Sequence, residues 1–377
     1  MTAYEKAHKK NGPYKLLALD GGGIRGVITL EVLEKIESTL RSALGDNKNF
    51  VLADYFDYIA GTSTGAIIGT ALSYGMSVAD VKKFYRESGE TMFDKDFILA
   101  ITRLAIHKYG DKNLAAKLKE VFGEDTTFGS EKLKTLLMLV MRNVNTDSPW
   151  PLSNNPKAQY NDPNLPDSNL KLPLWQLVRA STAAPTFFPP EKVQLGNREF
   201  IFVDGGVTAY NNPAFQLFLM ATLEPYQLMW PTGEDNMLLV SVGTGLTPNI
   251  NPELTAAKVD RTIYNAINIP GALMLAAQQQ QDFLCRTFGK CLCGEVIDGE
   301  VGDLIDVKGP LESKLFTYVR YNAELTREGL DRLSGLEDIK PEDVQQMDSV
   351  KHMDKLERIG QAIAQQVKLE HFANFLQ

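Results

Sequence analysis

Residues 15–36 read KLLALDGGGIRGVITLEVLEKI, and this stretch predicts the class of fold. The apolar run before Asp20 is typical of a buried strand, and apolar side chains after Gly26 recur at helical spacing. A glycine turn joins the two patterns, and Gly45 follows the second at a position typical of a helix end. A strand, a glycine turn and a helix in this order indicate an α/β fold.

A second unit of the same kind occupies residues 54–75, DYFDYIAGTSTGAIIGTALSYG. Further strands are predicted at 133–145, 236–245 and 314–322, with a hairpin across 191–207 that turns at Gly196 and Asn197. The remaining patterns predict helices over 78–124, a surface loop over 146–169, helices interrupted at Pro270–Gly271, and one amphipathic terminal helix over 341–376.

Composition narrows the class of protein. The 377 residues carry a net charge of −8, which argues against binding a nucleic-acid polymer, because that needs an excess of Lys and Arg. Three cysteines (Cys285, Cys291 and Cys293) are too few for a disulfide scaffold or a four-ligand zinc site. No segment has the pattern of a secretory signal or a membrane span. We expect a cytoplasmic protein without metal or cofactor that contacts membranes only peripherally and transiently.

The first turn matches G-x-G-x-x-G, a pattern that two different chemistries use. In dinucleotide-binding folds the glycines let the backbone approach a pyrophosphate at a helix N-terminus. Such a fold also needs an acidic residue at the end of a second strand about 20 residues later. Here that stretch still lies within the first predicted helix, which argues against a dinucleotide. The other chemistry is stabilisation of a negative charge that forms during a reaction.

The second turn contains GTSTG, a G-x-S-x-G pattern centred on Ser63. Glycines on both sides allow a tight strand-to-helix elbow that presents a serine hydroxyl, as a nucleophile requires. The position of the pattern, after a short strand and before a helix of small residues, favours this interpretation. A serine at a helix start is also a common N-cap, so both roles remain open.

A nucleophilic serine needs a base, and the histidines are poor candidates. His8 lies in a polar N-terminal segment, His107 in a basic helical stretch, and His352 and His371 in a charged C-terminal helix. His371 has the chain order of a Ser–acid–His triad, so an esterase that uses it stays an alternative.

Asp204 is the carboxylate candidate. It ends an apolar strand and precedes two glycines, which leave backbone space around its side chain. Because Asp–Gly is also a common turn pair, a purely structural role remains open.

Four segments together resemble the signature blocks of patatin-like phospholipases, in that family's order. They are DGGGIRG (20–26), GTSTG (61–65), ASTAAPTFFPP (180–190) and DGGV (204–207). YNNP at 210–213 is also similar to the segment after the aspartate block of plant patatin. The similarity covers residues 14–250. We expect a catalytic domain over 14–330 and a helical extension packed on it over 331–377.

The resemblance implies a three-layer α/β/α fold with a mainly parallel central sheet and a Ser–Asp dyad without histidine. It implies that Ser63 is the nucleophile, that Asp204 accepts its proton, and that the oxyanion hole is formed by Gly21, Gly22, Gly23 and Arg25. Positive potential and anchoring of the turn through a carboxylate are both open roles for Arg25. Phe187 and Phe188 are expected near the acyl chain, with core packing as the alternative.

The resemblance also implies hydrolysis of membrane phospholipid or galactolipid without a cofactor. Because the ordinary pKa of Asp is about 3.9, an Asp base predicts activity at mildly acidic pH. Activation by a cyclic nucleotide, as in some bacterial relatives, stays open, as does a homo-oligomer. The non-enzymatic alternative is a storage or ligand-sensing protein of the same fold.

Overall fold

One mainly parallel sheet forms the centre of the molecule. The computed structural model describes residues 2–9, 12–93, 110–185, 187–250, 253–259, 262–348 and 350–376. Its strands are β1 (Tyr14–Leu19), β2 (Tyr58–Thr62), β3 (Leu136–Asn143), β4 (Ser148–Ser153), β5 (Glu191–Leu195), β6 (Arg198–Asp204), β7 (Met237–Val242), β8 (Lys290–Cys293) and β9 (Thr317–Tyr321). They run in the order β5-β6-β3-β2-β1-β7-β9-β8, with β4 also paired to β3. The stretch from β3 to β8 is parallel, whereas β4, β5 and β6 pair antiparallel.

Helices cover both faces of this sheet. They are α1 (Ala3–Lys9), α2 (Gly26–Ala43), α3 (Leu52–Tyr55), α4 (Thr64–Ser73), α5 (Val78–Phe93), α6 (Gly110–Phe122), α7 (Leu174–Ser181), α8 (Ala214–Thr222), α9 (Ala256–Val259), α10 (Thr262–Phe288), α11 (Arg327–Asp331), α12 (Pro341–Val344) and α13 (Met353–Ala364). The part of the predicted 78–124 helical region that lies at 94–109 is outside the described residues.

Alternate side chains of β1 enter two separate cores. Leu17 and Leu19 pack in the core formed with α2, α4, α7 and α13. Leu16 and Ala18 point to the opposite face and pack in the core formed with α8 and the end of α10. A strand buried on both faces needs a continuous apolar run, which residues 16–19 (LLAL) supply. The expected three-layer α/β/α fold is therefore confirmed.

The strand β4 lies inside the stretch that was predicted to be a loop. Pro149 and Pro151 made a strand improbable there, since proline lacks the N–H of a sheet hydrogen bond. They pair with Arg142 and Val140 of β3. Because the two prolines are two residues apart, their backbone nitrogens point to the same edge of β4. On an edge strand this can be the edge that faces away from β3, where no sheet hydrogen bond is needed and proline is tolerated.

Two helix predictions were wrong. The helix expected to break at Pro270–Gly271 runs unbroken from Thr262 to Phe288. An interior proline removes one backbone hydrogen bond and kinks the helix. The helix continues past it because the turns on either side keep their own hydrogen bonds. The expected single helix over 341–376 consists of α12, α13 and 3-10 turns. In the last of these turns, Phe372 and Phe375 are three residues apart and both buried, which suits three residues per turn.

The helix α13 packs closely on α2. At the crossing, a side chain on Gly360 would lie 2.9 Å from the carbonyl oxygen of Ile28 and 2.7 Å from Cβ of Glu31. Leu356 and Ile363 enter the same core as the residues of α2. The domain division at residue 330 stays a prediction.

Candidate active site

The strand β3 brings Ser63 and Asp204 together. Its residue Val140 pairs with Thr62, the last residue of β2, and the next residue, Met141, pairs with Asp204, the last residue of β6. Both strands therefore end at the same point along β3. Ser63 follows Thr62 directly, and its Oγ donates a hydrogen bond of 2.6 Å to Oδ2 of Asp204.

Ser63 sits on a sharp turn between β2 and α4. Its φ of 54° and ψ of −121° lie where non-glycine residues are strained. The neighbouring glycines leave room for the turn, because a Cβ on Gly61 would lie 2.1 Å from the carbonyl oxygen of Gly65. The Ser63 side chain makes no capping hydrogen bond to α4, although the residue occupies the N-cap position. The hydroxyl is directed to Asp204 instead.

Asp204 is buried, with 4% of its surface exposed. Its Oδ1 accepts a hydrogen bond of 2.6 Å from the backbone N–H of Gly206. Burial raises the pKa of Asp204 to about 6, against the opposing effects of the Ser63 and Gly206 hydrogen bonds and the Arg179 charge. The expectation of an ordinary, low pKa for this carboxyl was therefore wrong, because a sequence does not reveal how strongly a carboxylate is desolvated.

The segment around residue 180 supports both site residues. The backbone N–H of Ser63 donates to Oγ of Ser181 at 3.0 Å, and that hydroxyl donates to the carbonyl oxygen of Val140. Arg179 is fully buried and donates through Nη2 to the carbonyl oxygen of Pro189. Neither Arg179 nor Ser181 was among the predicted site residues, although Ser181 lies within the block ASTAAPTFFPP.

The two phenylalanines of that block have different surroundings. Phe188 is half-buried, packs against the core, and lies under the guanidinium of Arg179 at 5.2 Å from the ring centroid. Phe187 is 37% exposed. Their contact with an acyl chain stays a prediction.

The glycine turn that follows β1 lies against Ser63. A Cβ on Gly21 would lie 3.2 Å from Cβ of Ser63. The Gly21 carbonyl oxygen accepts a hydrogen bond of 2.9 Å from Thr244 Oγ1, and its N–H donates to the carbonyl oxygen of Asn211 at 3.1 Å. These hydrogen bonds hold the start of the turn against the loops that contain Thr244 and Asn211, at the same edge of the sheet.

Gly22 and Gly23 have no space for a side chain. A Cβ on Gly22 would lie 2.2 Å from Thr244 Oγ1, and one on Gly23 would lie 2.3 Å from the carbonyl oxygen of Met347. Gly23 also has a φ of +59°. Within the described part of the chain, neither amide donates to another group. Both N–H groups can therefore serve as donors to a ligand.

Arg25 anchors the turn through carbonyl groups. The buried guanidinium donates from Nε to the Gly22 oxygen at 3.4 Å and from Nη1 to the Gly245 oxygen at 3.3 Å. Burial lowers the pKa of Arg25 to about 10, against the effect of the Asp20 charge. The side chain stays charged at neutral pH, but the carboxylate contact considered from the sequence is replaced by these two carbonyls.

A cavity of about 460 Å³ adjoins the site. A Cβ on Gly206 would lie 3.0 Å from Oδ1 of Asp204 and 3.6 Å from the methyl group of Met274, which lines the cavity. Its walls combine polar groups near the glycine turn with apolar side chains of α10 and its surroundings, among them Arg25, Asn211, Gln278, Ile269, Leu275 and Met347.

No described histidine hydrogen-bonds Ser63 or Asp204. His371 shares a hydrogen bond of 2.7 Å between Nδ1 and Oη of Tyr321, and burial lowers its pKa. His8 stacks on Tyr4, and Nε2 of His352 lies 3.5 Å from Oδ1 of Asp343. His107 is outside the described residues.

Neither a metal-binding cluster nor a membrane-spanning helix is present among the described residues. The described cysteines are free, and the described His, Cys, Asp and Glu side chains form no group of three able to hold a metal ion. Across the same part of the chain, no helix has the length and apolar character needed to cross a membrane.

Residues 17–218 match the family model of the patatin-like phospholipases, and the chain belongs to this family. It is 32% identical over 219 residues to a cGAMP-activated phospholipase of Vibrio cholerae, covering 56% of this chain and 58% of that protein. It is 30% identical over 259 residues to Patatin-T5 of Solanum tuberosum, covering 64% and 63% respectively. Patatin-like protein 1 of Arabidopsis thaliana is 31% identical over 269 residues, with coverages of 63% and 62%. The chain thus spans about three fifths of the length of these relatives.

Proposed function

We propose that the protein is a lipid acyl hydrolase that cleaves fatty-acid esters of membrane glycerolipids through Ser63 and Asp204. The observation that carries the proposal is the 2.6 Å hydrogen bond between Ser63 Oγ and the buried carboxylate of Asp204. Membership of the patatin-like phospholipase family supports the same reaction class.

Asp204 acts as the general base in this mechanism. It accepts the Ser63 proton as Oγ attacks the ester carbonyl carbon, and a tetrahedral intermediate forms. The intermediate collapses to an acyl-enzyme when the C–O bond breaks and the proton passes to the leaving alcohol. Asp204 then takes a proton from water, whose oxygen attacks the acyl carbon. The bond from that carbon to Ser63 Oγ breaks, Oγ takes the proton back from Asp204, and the fatty acid leaves. With its pKa raised to about 6, Asp204 is ionised at neutral pH and a stronger base than an exposed carboxylate.

The glycine turn stabilises the oxyanion of the intermediate. The amides of Gly22 and Gly23 supply hydrogen-bond donors, and the positive end of α2 and the charge of Arg25 favour a negative charge there. Loss of one such donor typically raises the barrier by about 3–4 kcal/mol. Gly21 allows the close approach of the turn to Ser63.

The adjoining cavity supports a lipid substrate. The apolar side chains on its α10 wall suit a fatty-acyl chain, and its polar end near the turn suits the ester and headgroup. We propose phospholipid or galactolipid at a membrane surface as the substrate, which the enzyme reaches by transient peripheral contact.

A cyclic dinucleotide activator is a further part of the proposal. It rests on the Vibrio cholerae relative, whose name states activation by cGAMP. The measurement is the rate of lipid hydrolysis with and without added cGAMP. Equal rates would contradict the proposed activation and leave the hydrolase proposal intact.

The reaction is tested with mixed vesicles of phospholipids and galactolipids and mass spectrometry of the products. The wild-type protein should release free fatty acids, and Ser63→Ala and Asp204→Asn should lower the rate by about 10³-fold or more. Ser38→Ala, which alters an exposed hydroxyl on α2, is the matched control and should match the wild type. A fluorophosphonate probe should label Ser63 in the folded protein. Failure of both hydrolysis and labelling would favour a storage or sensing protein.

A further inference from the structure

Asp20, the residue before the glycine turn, is held from elements distant in the sequence. Arg320 on β9 donates from Nη1 to Oδ1 at 2.8 Å and from Nη2 to Oδ2 at 2.6 Å. Gln278 on α10 donates through Nε2 to the same Oδ2. Arg320 also donates to Oγ of Ser241 on β7. The carboxylate therefore links the turn to two strands and a helix.

This ion pair is out of contact with water. Asp20 is fully buried, and the side chain of Arg320 is 2% exposed. Removing two charges from water costs several kcal/mol per ion, so a buried pair is weak evidence of a gain in stability. A bidentate pair does fix geometry, because two parallel hydrogen bonds define both position and orientation. Geometry is what an oxyanion hole requires, since its donors must be oriented before the charge develops.

Gln278 and Arg320 both lie beyond residues 17–218, the region matched to the family model. In the described structure they hydrogen-bond neither Ser63 nor Asp204. Gln278 also lines the cavity, so an effect through substrate contact, which KM reports, has to be separated from an effect through Asp20, which kcat reports. The path from Asp20 to the donors is short, because Gly22 and Gly23 follow it by two and three residues.

We propose that Gln278 and Arg320 are positioning residues that act through Asp20 to hold the amides of Gly22 and Gly23 in the orientation the oxyanion needs. The proposal rests on the hydrolase function proposed above. It makes α10, which also forms a wall of the cavity, a support of the oxyanion turn.

Gln278 is the sensitive position for a test. Replacing Asp20 or Arg320 alone leaves a buried charge unpaired and threatens folding. Gln278→Leu removes one hydrogen bond and leaves the ion pair. The tract of four glutamines at 278–281 supplies a matched control, since Gln280 is exposed and Gln278 is buried.

In the first experiment kcat and KM are measured with a soluble short-chain ester. Gln278→Leu should lower kcat about tenfold, less than the loss of a donor that touches the oxyanion, with KM within about twofold of the wild type. Gln280→Leu should match the wild type in both constants. An unchanged kcat in folded Gln278→Leu would overturn the proposal.

The second experiment uses the pH dependence of Gln278→Glu. The charged groups near Asp20 are Arg320 from β9, Arg25 from the turn and Asp282 from α10. An introduced carboxylate repels Asp20 when ionised but donates a hydrogen bond, like the amide it replaces, when protonated. The rate of Gln278→Glu relative to the wild type should therefore rise as pH falls from 8 to 5. A constant ratio contradicts a positioning role.

Hydrogen exchange of the peptide containing residues 20–26 needs no turnover. Its amides should exchange faster in Gln278→Leu than in the wild type, and Gln280→Leu should show no change. If the wild type hydrolyses no ester, the proposed function fails while this comparison still decides the positioning proposal. Equal exchange rates in all three folded proteins would refute it.

Discussion

Ser63 and Asp204 are 141 residues apart in the chain, yet a hydrogen bond of 2.6 Å joins their side chains. The cause is the register of β3, which pairs consecutive residues with the ends of β2 and β6. A slip of one residue would direct the Asp204 side chain to the other face of the sheet. The chemistry of the site thus depends on strand pairing as much as on the two residues themselves.

The rate of reaction should depend on the ionisation of Asp204. Only its ionised form accepts the Ser63 proton, so kcat/KM should rise with pH through about 6 and level off above it. Below this pKa the rate should fall tenfold per pH unit. The measurement is the pH dependence of kcat/KM between pH 4.5 and 8, with the rate of fluorophosphonate labelling as a second readout. A rate that stays flat down to pH 4.5 would exclude a buried Asp base.

A fall of kcat/KM below pH 6 would fit a histidine base as well as Asp204. The variant His371→Ala distinguishes the two. The variant should keep the wild-type kcat, because His371 is hydrogen-bonded to Tyr321 and not to Ser63 or Asp204. It should lose about 1–3 kcal/mol of unfolding free energy, since the buried Tyr321 hydroxyl loses its partner. Kinetics are compared per folded molecule, with urea unfolding as the stability measurement. A large loss of kcat in folded protein would support the histidine-dependent esterase.

The elbow at Ser63 should carry measurable backbone strain. Ser63→Gly and Ser63→Ala both remove the hydroxyl and should both be inactive. Glycine adopts a φ of 54° without a Cβ penalty, so Ser63→Gly should be more stable than Ser63→Ala by about 1 kcal/mol. Because both variants remove the same Ser63 hydrogen bond to Asp204 and leave the one from Gly206, the difference in urea midpoint reports on the backbone at residue 63. Glycine also costs about 0.4–1 kcal/mol through the greater freedom of the unfolded chain, so equal or lower stability of Ser63→Gly would mean that the strain at the elbow does not exceed that amount.

A side chain on Gly22 should disrupt the glycine turn that we propose as the oxyanion hole. In Gly22→Ala the added methyl group meets Thr244 Oγ1 at 2.2 Å and Thr244 Cβ at 2.5 Å, so the turn or its neighbour must move. We expect a loss of kcat of about 10²-fold or more, as for removal of an oxyanion donor. Gly299→Ala is the control, because nothing lies within 4 Å of its added Cβ. Wild-type kcat in folded Gly22→Ala would exclude the turn from the oxyanion hole.

Local patterns in the sequence were sufficient for the α/β class, the two glycine turns, and the strands β1, β2, β3, β5, β6, β7 and β9. These features depend on short-range physics: apolar runs that need burial, and glycines that alone fit tight turns. The segments DGGGIRG, GTSTG and DGGV also pointed to Ser63, Asp204 and the turn. From residues alone, however, each of these had a structural alternative that local patterns did not exclude.

The sequence by itself thus determined the class of fold and the candidate residues, and the tertiary structure decided which of them meet. Strand register joins Ser63 to Asp204 because pairing is a long-range property that no local pattern encodes. Burial, which depends on every neighbouring element, raises the pKa of Asp204 and sets its strength as a base. The same holds for Asp20, whose partners Gln278 and Arg320 come from segments about 260 and 300 residues further along the chain.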